Sequence, residues 1–197
     1  MSTADIMIGA ARVFYAPVGE ELPADSLEYG GMWTGNWDEI ALTKEALSMK
    51  RDASDYDVRV EQSTLPIRRV TTEEDVTFET TLAEFTGDYL ALAMEGTNTA
   101  TAAGAGQVGK EELVAGGEYF LTERTWAFEG MYVDASGNQF PVRIQIYRAT
   151  SVLNGELKFT KSEEVGIPLE IKALGDLTKS VGAQVMTMQR VLAEATS

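Results

Sequence analysis

The sequence predicts a mainly β domain, because apolar residues recur at every second position over several segments. This alternation is clearest over residues 76–82, 140–146 and 165–173. One helical pattern interrupts it, over residues 87–95. The chain has 197 residues, of which 44% are hydrophobic, and that is enough for one substantial core. We therefore expect a single domain over residues 1–197.

Shorter segments with the same alternation complete the predicted set of strands. They lie at residues 11–16, 37–42, 58–61, 119–128 and 156–160. Turn-forming residues at 134–138 and at Asn154–Gly155 predict hairpin connections. Pro168 has no amide hydrogen to donate to a neighbouring strand, so we expect strand 165–173 at a sheet edge or at a bulge.

Capping residues mark the ends of the predicted helix. Thr86 is suited to the N-cap, and Asp88 lies in the first turn, where a negative charge is favourable. Gly96 offers a stop at the C-terminal end. The apolar residues of this segment fall on one helical face: Phe85, Tyr89, Leu92 and Ala93.

Three segments lack a clear core pattern. Residues 46–75 are charged and mostly polar, and we interpret them as a long protruding hairpin or loop, which in a compact domain is usually functional or disordered. Residues 97–107 are rich in Ala, Thr and Gly and predict a flexible loop. Residues 177–197 form an arm or a helix, because 181–195 has helical spacing while 181–187 also alternates.

The composition excludes several kinds of chemistry. Without His or Cys, the chain has no disulfide framework, imidazole ligand or thiol nucleophile. Residues 104–111 have the spacing of a nucleotide-binding glycine loop, but no buried strand precedes them, and Glu111 replaces the Ser or Thr of a phosphate site. The Asp residues of 52–57 lack the Gly and distal Glu of a calcium loop. We expect no catalytic carboxylate pair, no enzyme activity, no cofactor and no resident metal.

The formal net charge of −15 is unevenly distributed. Residues 1–60 carry −6 and residues 61–130 carry −9, whereas residues 131–197 are neutral. An acidic surface opposes tight binding of DNA or anionic lipid, since both need neutralising cations. We find no signal-peptide pattern and no apolar stretch long enough to span a membrane, and we expect a soluble protein. The acidity either aids solubility or marks one negative surface of an assembly.

The order of these features resembles a known family. The match is carried by strand 76–85, which runs directly into helix 87–95, and by the late segment 166–174. The early Gly-Asn-Trp at 35–37 and the hairpin 140–157 are similar too. The resemblance extends over most of the chain, from about residue 10 to residue 176. The sequence resembles the tail tube, or major tail, proteins of long-tailed double-stranded DNA bacteriophages.

The resemblance implies a structural protein of the virion tail. Its fold would be a β-sandwich or barrel-like domain with one flanking helix, a long loop that reaches the next ring, and terminal arms. Such subunits are expected to assemble in the host cytoplasm into six-membered rings, which stack into a hollow tube around a tape-measure protein. Tail terminator and baseplate or tip proteins are further expected partners. DNA would pass through the tube without specific binding, and no membrane partner is expected.

The resemblance also suggests two groups of assembly residues. The contact between stacked rings is expected in the 46–75 loop, at Lys50, Arg51, Asp55, Asp57, Arg68 and Arg69. An acidic wall would repel phosphate within a screening length of about 8 Å, so that DNA would not adhere to it. The candidates for such a wall are Glu79, Glu84, Glu123 and Glu129.

One alternative belongs to a different class of protein. Trp33 and Trp37 could form the aromatic platform of a carbohydrate-binding site, which would make the chain a monomeric β-sandwich binding module of a virion or cell surface. Trp126 lies in an alternating segment and is expected in the core.

Overall fold

The computed structural model describes residues 11–40, 42–117, 120–134, 136–162 and 164–193. Strands account for 48% and helix for 4% of the structure, which confirms the mainly β class. Residue 119, where one predicted strand begins, lies outside the described residues, as do residues 194–197 of the predicted C-terminal arm.

Ten strands and one helix are found among the described residues. In chain order they are β1 (Arg12–Pro17), β2 (Asp38–Ile40), β3 (Ser48–Val58), β4 (Arg68–Leu82), α1 (Gly87–Met94), β5 (Thr97–Thr101), β6 (Lys110–Val114), β7 (Arg124–Val133), β8 (Gln139–Leu153), β9 (Ile167–Ala173) and β10 (Met186–Arg190). The main sheet follows the order β2-β1-β7-β8-β9-β4-β3, and its eighth strand, β10, pairs with β8. Strands β5 and β6 form a separate two-stranded sheet.

The main sheet curls over its own core. In the strand order, β8 and β9 separate β7 from β4, so a flat sheet would hold β7 and β4 about 14 Å apart. Instead, Phe128 on β7 stacks on Phe78 on β4, with ring centroids 5.2 Å apart. The core cluster between them also contains Val13, Trp126 and Leu169. This arrangement agrees with the sandwich- or barrel-like fold that the resemblance implies, and it confirms Trp126 as a core residue.

The main sheet branches at β8. One edge of β8 pairs with β7, whereas the other pairs first with β10, over 142–146, and then with β9, over 149–153. Residues 186–190 are therefore extended, and the helical alternative for the segment before residue 194 is wrong.

Pro168 lies in an interior strand, because β9 has β8 on one side and β4 on the other. The edge position predicted for it is wrong. The carbonyl of Pro168 accepts a hydrogen bond from the amide of Asn154 (3.1 Å), just after β8 ends. The proline nitrogen faces the same side, so the hydrogen bond that another residue would return to the Asn154 carbonyl is missing, but only at the end of the β8–β9 pairing.

Helix α1 forms nearly as predicted. Thr86 is its N-cap, and its hydroxyl accepts a hydrogen bond from the amide of Tyr89 (3.2 Å). Leu92 and Ala93 face the core. The left-handed residue after the last turn is Glu95 (φ 52°) rather than the predicted Gly96. The Glu95 carboxylate pairs with Arg124 at 3.3 Å, which ties this end of the helix to β7.

Several strand predictions are corrected by the pairing pattern. The predicted flexible loop 97–107 begins with β5, which pairs with β6 and packs against α1. Strand 58–61 is instead the end of β3 and the turn beyond it. Strand 119–128 begins only at Arg124 in the described residues and continues to Val133. Residues 156–160 form no strand within the described structure, since they have no sheet partner.

Candidate assembly surfaces

A two-stranded ribbon extends from the main sheet. Strand β3 pairs with β4 along its whole length, whereas β9 pairs with β4 only over 77–82. The outer part of the hairpin, residues 52–75, has no third strand beside it in the described part of the chain, and we call it the ribbon. Its strands span about 23 Å, and the residues at 52–56 and 67–75 are all exposed. The predicted protruding segment 46–75 is thus a hairpin rather than an irregular loop.

Ion pairs across the hairpin use three of the six residues predicted for ring stacking. Arg51 pairs with Glu74 at 2.7 Å, and Arg69 pairs with Asp57 at 2.8 Å. The hydrogen bond from Arg69 lowers the pKa of the Asp57 carboxyl. Exposed pairs of this kind add little stability, so their main effect is to fix strand register.

The other three predicted stacking residues differ in their surroundings. Lys50 pairs with Asp52 on its own strand at 2.6 Å, and Asp55 accepts a hydrogen bond from the Thr71 hydroxyl (2.8 Å). Arg68 makes no ion pair among the described residues. The prediction therefore placed these six residues on one hairpin, but it missed that five of them contact each other or their hairpin neighbours.

Apolar side chains stand exposed toward the end of the ribbon. Tyr56 and Val70 are directly paired across the strands, and both are exposed. Leu65 and Ile67, in the turn that joins the strands, are exposed as well. An isolated hairpin that presents apolar residues to water is marginally stable and typical of a surface that meets a partner. Sequence reasoning missed this feature because charged residues dominate the segment.

One face of the β8-β9-β4-β3 part of the main sheet is open to solvent, and we call it the open face. Phe78 and Ile171 point into the core, so their neighbours along the strands point outward. Outward residues that lie opposite each other on neighbouring strands form rows across the sheet. The sign of the charge alternates from one row to the next. Asp52 lies opposite Asp75; the next row is Lys50, Thr77, Lys172 and Thr150; the third is Ser48, Glu79, Glu170 and Val152.

The acidic wall candidates are not brought together by the fold. Glu79 lies on the open face and is exposed. Glu84 is half-buried between β4 and α1, and Glu123 is exposed before β7, where its carboxylate accepts a hydrogen bond from Arg148 Nε (3.0 Å). Of the four, Glu79 alone lies on a strand of the open face.

The prediction for Glu129 is corrected, because its side chain is fully buried. Its carboxylate bonds Arg12 at 2.6 Å and Arg143 at 3.1 Å, and it accepts a weaker hydrogen bond from the Trp33 indole (3.4 Å). Arg143 also donates to the carbonyls of residues 24 and 27. This buried cluster fastens the loop between β1 and β2 to the sheet, so the Glu129 charge is unavailable to any surface.

Trp33 and Trp37 do not form an exposed platform. They are only 8% and 9% exposed, respectively. Trp33 stacks on Phe14 with ring centroids 3.8 Å apart and meets Trp37 edge-on at 5.2 Å. Both rings belong to a second core cluster beneath the β1–β2 loop. The carbohydrate-binding alternative thus loses the residues on which it depended.

The remaining motifs offer no arrangement for a ligand. No group of three or more carboxylates in the described part of the chain is placed to hold a metal ion. Within residues 104–111, Gly104 and Gln107 close a turn through mutual backbone hydrogen bonds of 3.0 Å. Lys110 then begins β6 rather than a helix, and it pairs with Glu112 at 2.7 Å. The helix N-terminus that a phosphate loop requires is missing there.

These surfaces can be compared with known proteins. A family model described as phage tail tube protein matches residues 2–193. The chain belongs to the phage tail tube family. No curated protein matches it. Membership places the chain in the tail of a phage virion, in a structural role. In the described residues, no helix has the length and apolar character needed to cross a membrane.

Proposed function

We propose that the chain assembles into six-membered rings that stack into a hollow tube, through which DNA is delivered. Its family supports assembly into a tail tube. The observation that carries the proposal is the ribbon. A monomer leaves it without a third strand, with an exposed strand edge and exposed apolar residues. Such edges favour association unless they are covered.

The ribbon is our candidate for the contact between rings. The ion pairs of Arg51 and Arg69 hold its two strands in register, which leaves Tyr56, Val70 and the turn residues to meet the next ring. A contact between two identical ribbons would join the copies head to head. It could not build a filament in which all copies point in the same direction. The contact joins two different surfaces, so copies add in line without closing.

Shortening the ribbon tests this contact. Asp52 and Asp75 are directly paired, so replacing residues 53–74 with Asn-Gly would close the hairpin with a two-residue turn. The matched control replaces residues 102–109 with Asn-Gly, since Thr101 and Lys110 are paired in the same way on the β5–β6 hairpin. Both variants should remain folded by circular dichroism. Only the ribbon variant should fail to form tubes in negative-stain micrographs, and tubes of normal length from it would refute the ribbon as the stacking contact.

We further propose that the open face lines the channel of the tube. Asp52 faces Asp75 across the strands, and Glu79 lies beside Glu170. Like charges directly opposite each other destabilise a sheet, which favours a functional reason for them. Lys50 and Lys172 pair with Asp52 and Glu170, so the uncompensated charge lies at Asp75 and Glu79.

Charge reversal tests the channel face. Asp75→Lys combined with Glu79→Lys should leave tube assembly intact but make the tubes retain short duplex DNA, because added cations release counterions from phosphate. Glu112→Lys, on β6, is the control and should not retain DNA. Equal retention by the two variants would count against the open face as the channel wall.

The same assembly has further proposed partners. A tape-measure protein would fill the channel before DNA does, and tail terminator and tip or baseplate proteins would cap the two ends. Assembly would take place in the host cytoplasm, without catalysis and without specific DNA binding. Co-expression with a tape-measure protein tests this proposal. The tape-measure protein should co-purify with the wild-type tubes and fix their length. Tubes whose length does not depend on the tape-measure protein would contradict the proposal.

A further inference from the structure

The connection between β9 and β10 is an ordered loop of two consecutive turns, which we call the double-turn loop (residues 176–184). Its base is closed by a hydrogen bond from the amide of Asp176 to the carbonyl of Gln184 (2.8 Å). The first turn is closed by a hydrogen bond from the amide of Lys179 to the carbonyl of Asp176 (3.1 Å). The second is closed by one from the amide of Ala183 to the carbonyl of Ser180 (2.9 Å). Backbone bonds thus fix the loop before any partner arrives.

Two apolar side chains project from this loop into water. Leu177 is 81% exposed and Val181 is 94% exposed, and each is the second residue of its turn. Gly182 follows Val181 with φ +88°, the conformation that a type II turn needs at its third position. The Asp176 carboxylate accepts hydrogen bonds from the amide and hydroxyl of Thr178 (3.0 and 2.7 Å), which stiffens the first turn. A preorganised loop with exposed apolar residues loses little entropy on binding.

A groove with complementary properties lies at the other end of β10. Its volume is about 880 Å³, within the range that accepts small molecules or side chains. Asp25 and Glu28 line the groove, and none of its described lining residues is Lys or Arg. The apolar part of its lining consists of Leu27, Tyr29, Phe140, Pro141, Val191 and Ala193.

We propose that the double-turn loop of one copy inserts Leu177 and Val181 into this groove on a neighbouring copy of the chain. Lys179, between the two apolar residues, then faces Asp25 and Glu28. The Asp176 carboxylate is held by Thr178 within the loop, so Lys179, whose Nζ lies 4.6 Å from the Tyr147 ring centroid of its own chain, is the loop charge that complements the groove. This inference rests on the self-assembly proposed above, and it supplies a contact that the ribbon does not.

The loop cannot fill the groove of its own chain. Strand β10 runs from Met186, opposite Ile146, to Arg190, opposite Val142. The loop precedes this strand and the groove surrounds the residues after it, so the two are separated by roughly 15 Å of strand. Each copy carries both halves of a heterologous contact, and such a contact closes a ring when the rotation between copies allows it.

Substitutions on both sides test the contact. Leu177→Asp with Val181→Asp should raise the protein concentration needed for assembly at least about tenfold, as expected for central apolar contacts. Val108→Asp is the control, because Val108 is 83% exposed on a different turn and should tolerate the charge. Lys179→Glu should also weaken assembly, and Glu28→Lys in the same chain should restore much of it. Wild-type assembly by the Leu177/Val181 variant, with its fold confirmed by circular dichroism, would overturn the proposal.

Cross-linking tests the contact without requiring tubes. The chain has no Cys, so Val181→Cys and Ser26→Cys introduce the only two thiols of each copy. Oxidation should give a ladder of multimers on non-reducing gels, whereas the control pair Val108→Cys with Ser26→Cys should give none. A yield of multimers no higher than that of the control pair would overturn the proposed contact. A ladder from a protein that forms neither rings nor tubes would support the contact and refute the proposed function, so the two failures are distinguishable.

Discussion

Removing the Glu129 carboxylate should destabilise the fold strongly. Glu129 is fully buried, and the Arg143 side chain is 1% exposed, so neither ion can be compensated by water. Glu129→Gln keeps the shape of the side chain but leaves the Arg143 charge buried without its counterion. Breaking a buried pair in this way costs about 3–5 kcal/mol of unfolding free energy. For a chain of this length, that corresponds to a fall of about 6–20 °C in Tm.

The assay is urea unfolding, followed by circular dichroism at protein concentrations too low for assembly. Glu39→Gln is the matched control, because Glu39 also pairs with Arg12 at 2.7 Å but its side chain is 39% exposed, and its loss should cost no more than about 1 kcal/mol. Glu129→Met combined with Arg143→Met should be less destabilising than Glu129→Met alone, since no charge is left buried. A loss below 1 kcal/mol for Glu129→Gln would refute the reasoning.

Three smaller perturbations test local features by the same unfolding assay. Thr86→Ala removes the helix N-cap and should cost about 1 kcal/mol, whereas Thr86→Asp should cost little; equal losses would contradict the cap. Glu95→Val loses the Arg124 pair and places a β-branched residue at positive φ, so it should cost about 2 kcal/mol more than Glu95→Gly. The hydrogen bond from Thr178 lowers the pKa of Asp176. Its stabilising effect is thus present above about pH 4 and lost as the pH falls, and Asp176→Asn should weaken the pH dependence of stability there.

Local patterns predicted the elements whose environment is also local. Strand β9 buries one face, so alternation revealed it, and α1 carries its own cap at Thr86. Strand β5 was missed because its Thr- and Ala-rich residues pack only against α1 and β6 and have no hydrophobic alternation.

Pairings between distant residues explain the other errors. Glu129 resembles any exposed strand carboxylate in the sequence, but its partner Arg12 lies 117 positions away. The aromatic residues Trp33 and Trp37 lie in a loop, and only the packing of that loop on β1 and β7 buries them. The charges of the hairpin were visible at residues 50–69, whereas their pairing depends on the register of β3 and β4.

Imaging of the wild-type chain at high concentration tests the central claim most directly. We expect negative-stain and cryo-electron micrographs to show hollow tubes, with sixfold rotational symmetry in end-on views and one ribbon per subunit bridging adjacent rings. Particles that remain 21.4 kDa monomers at every concentration would contradict the account.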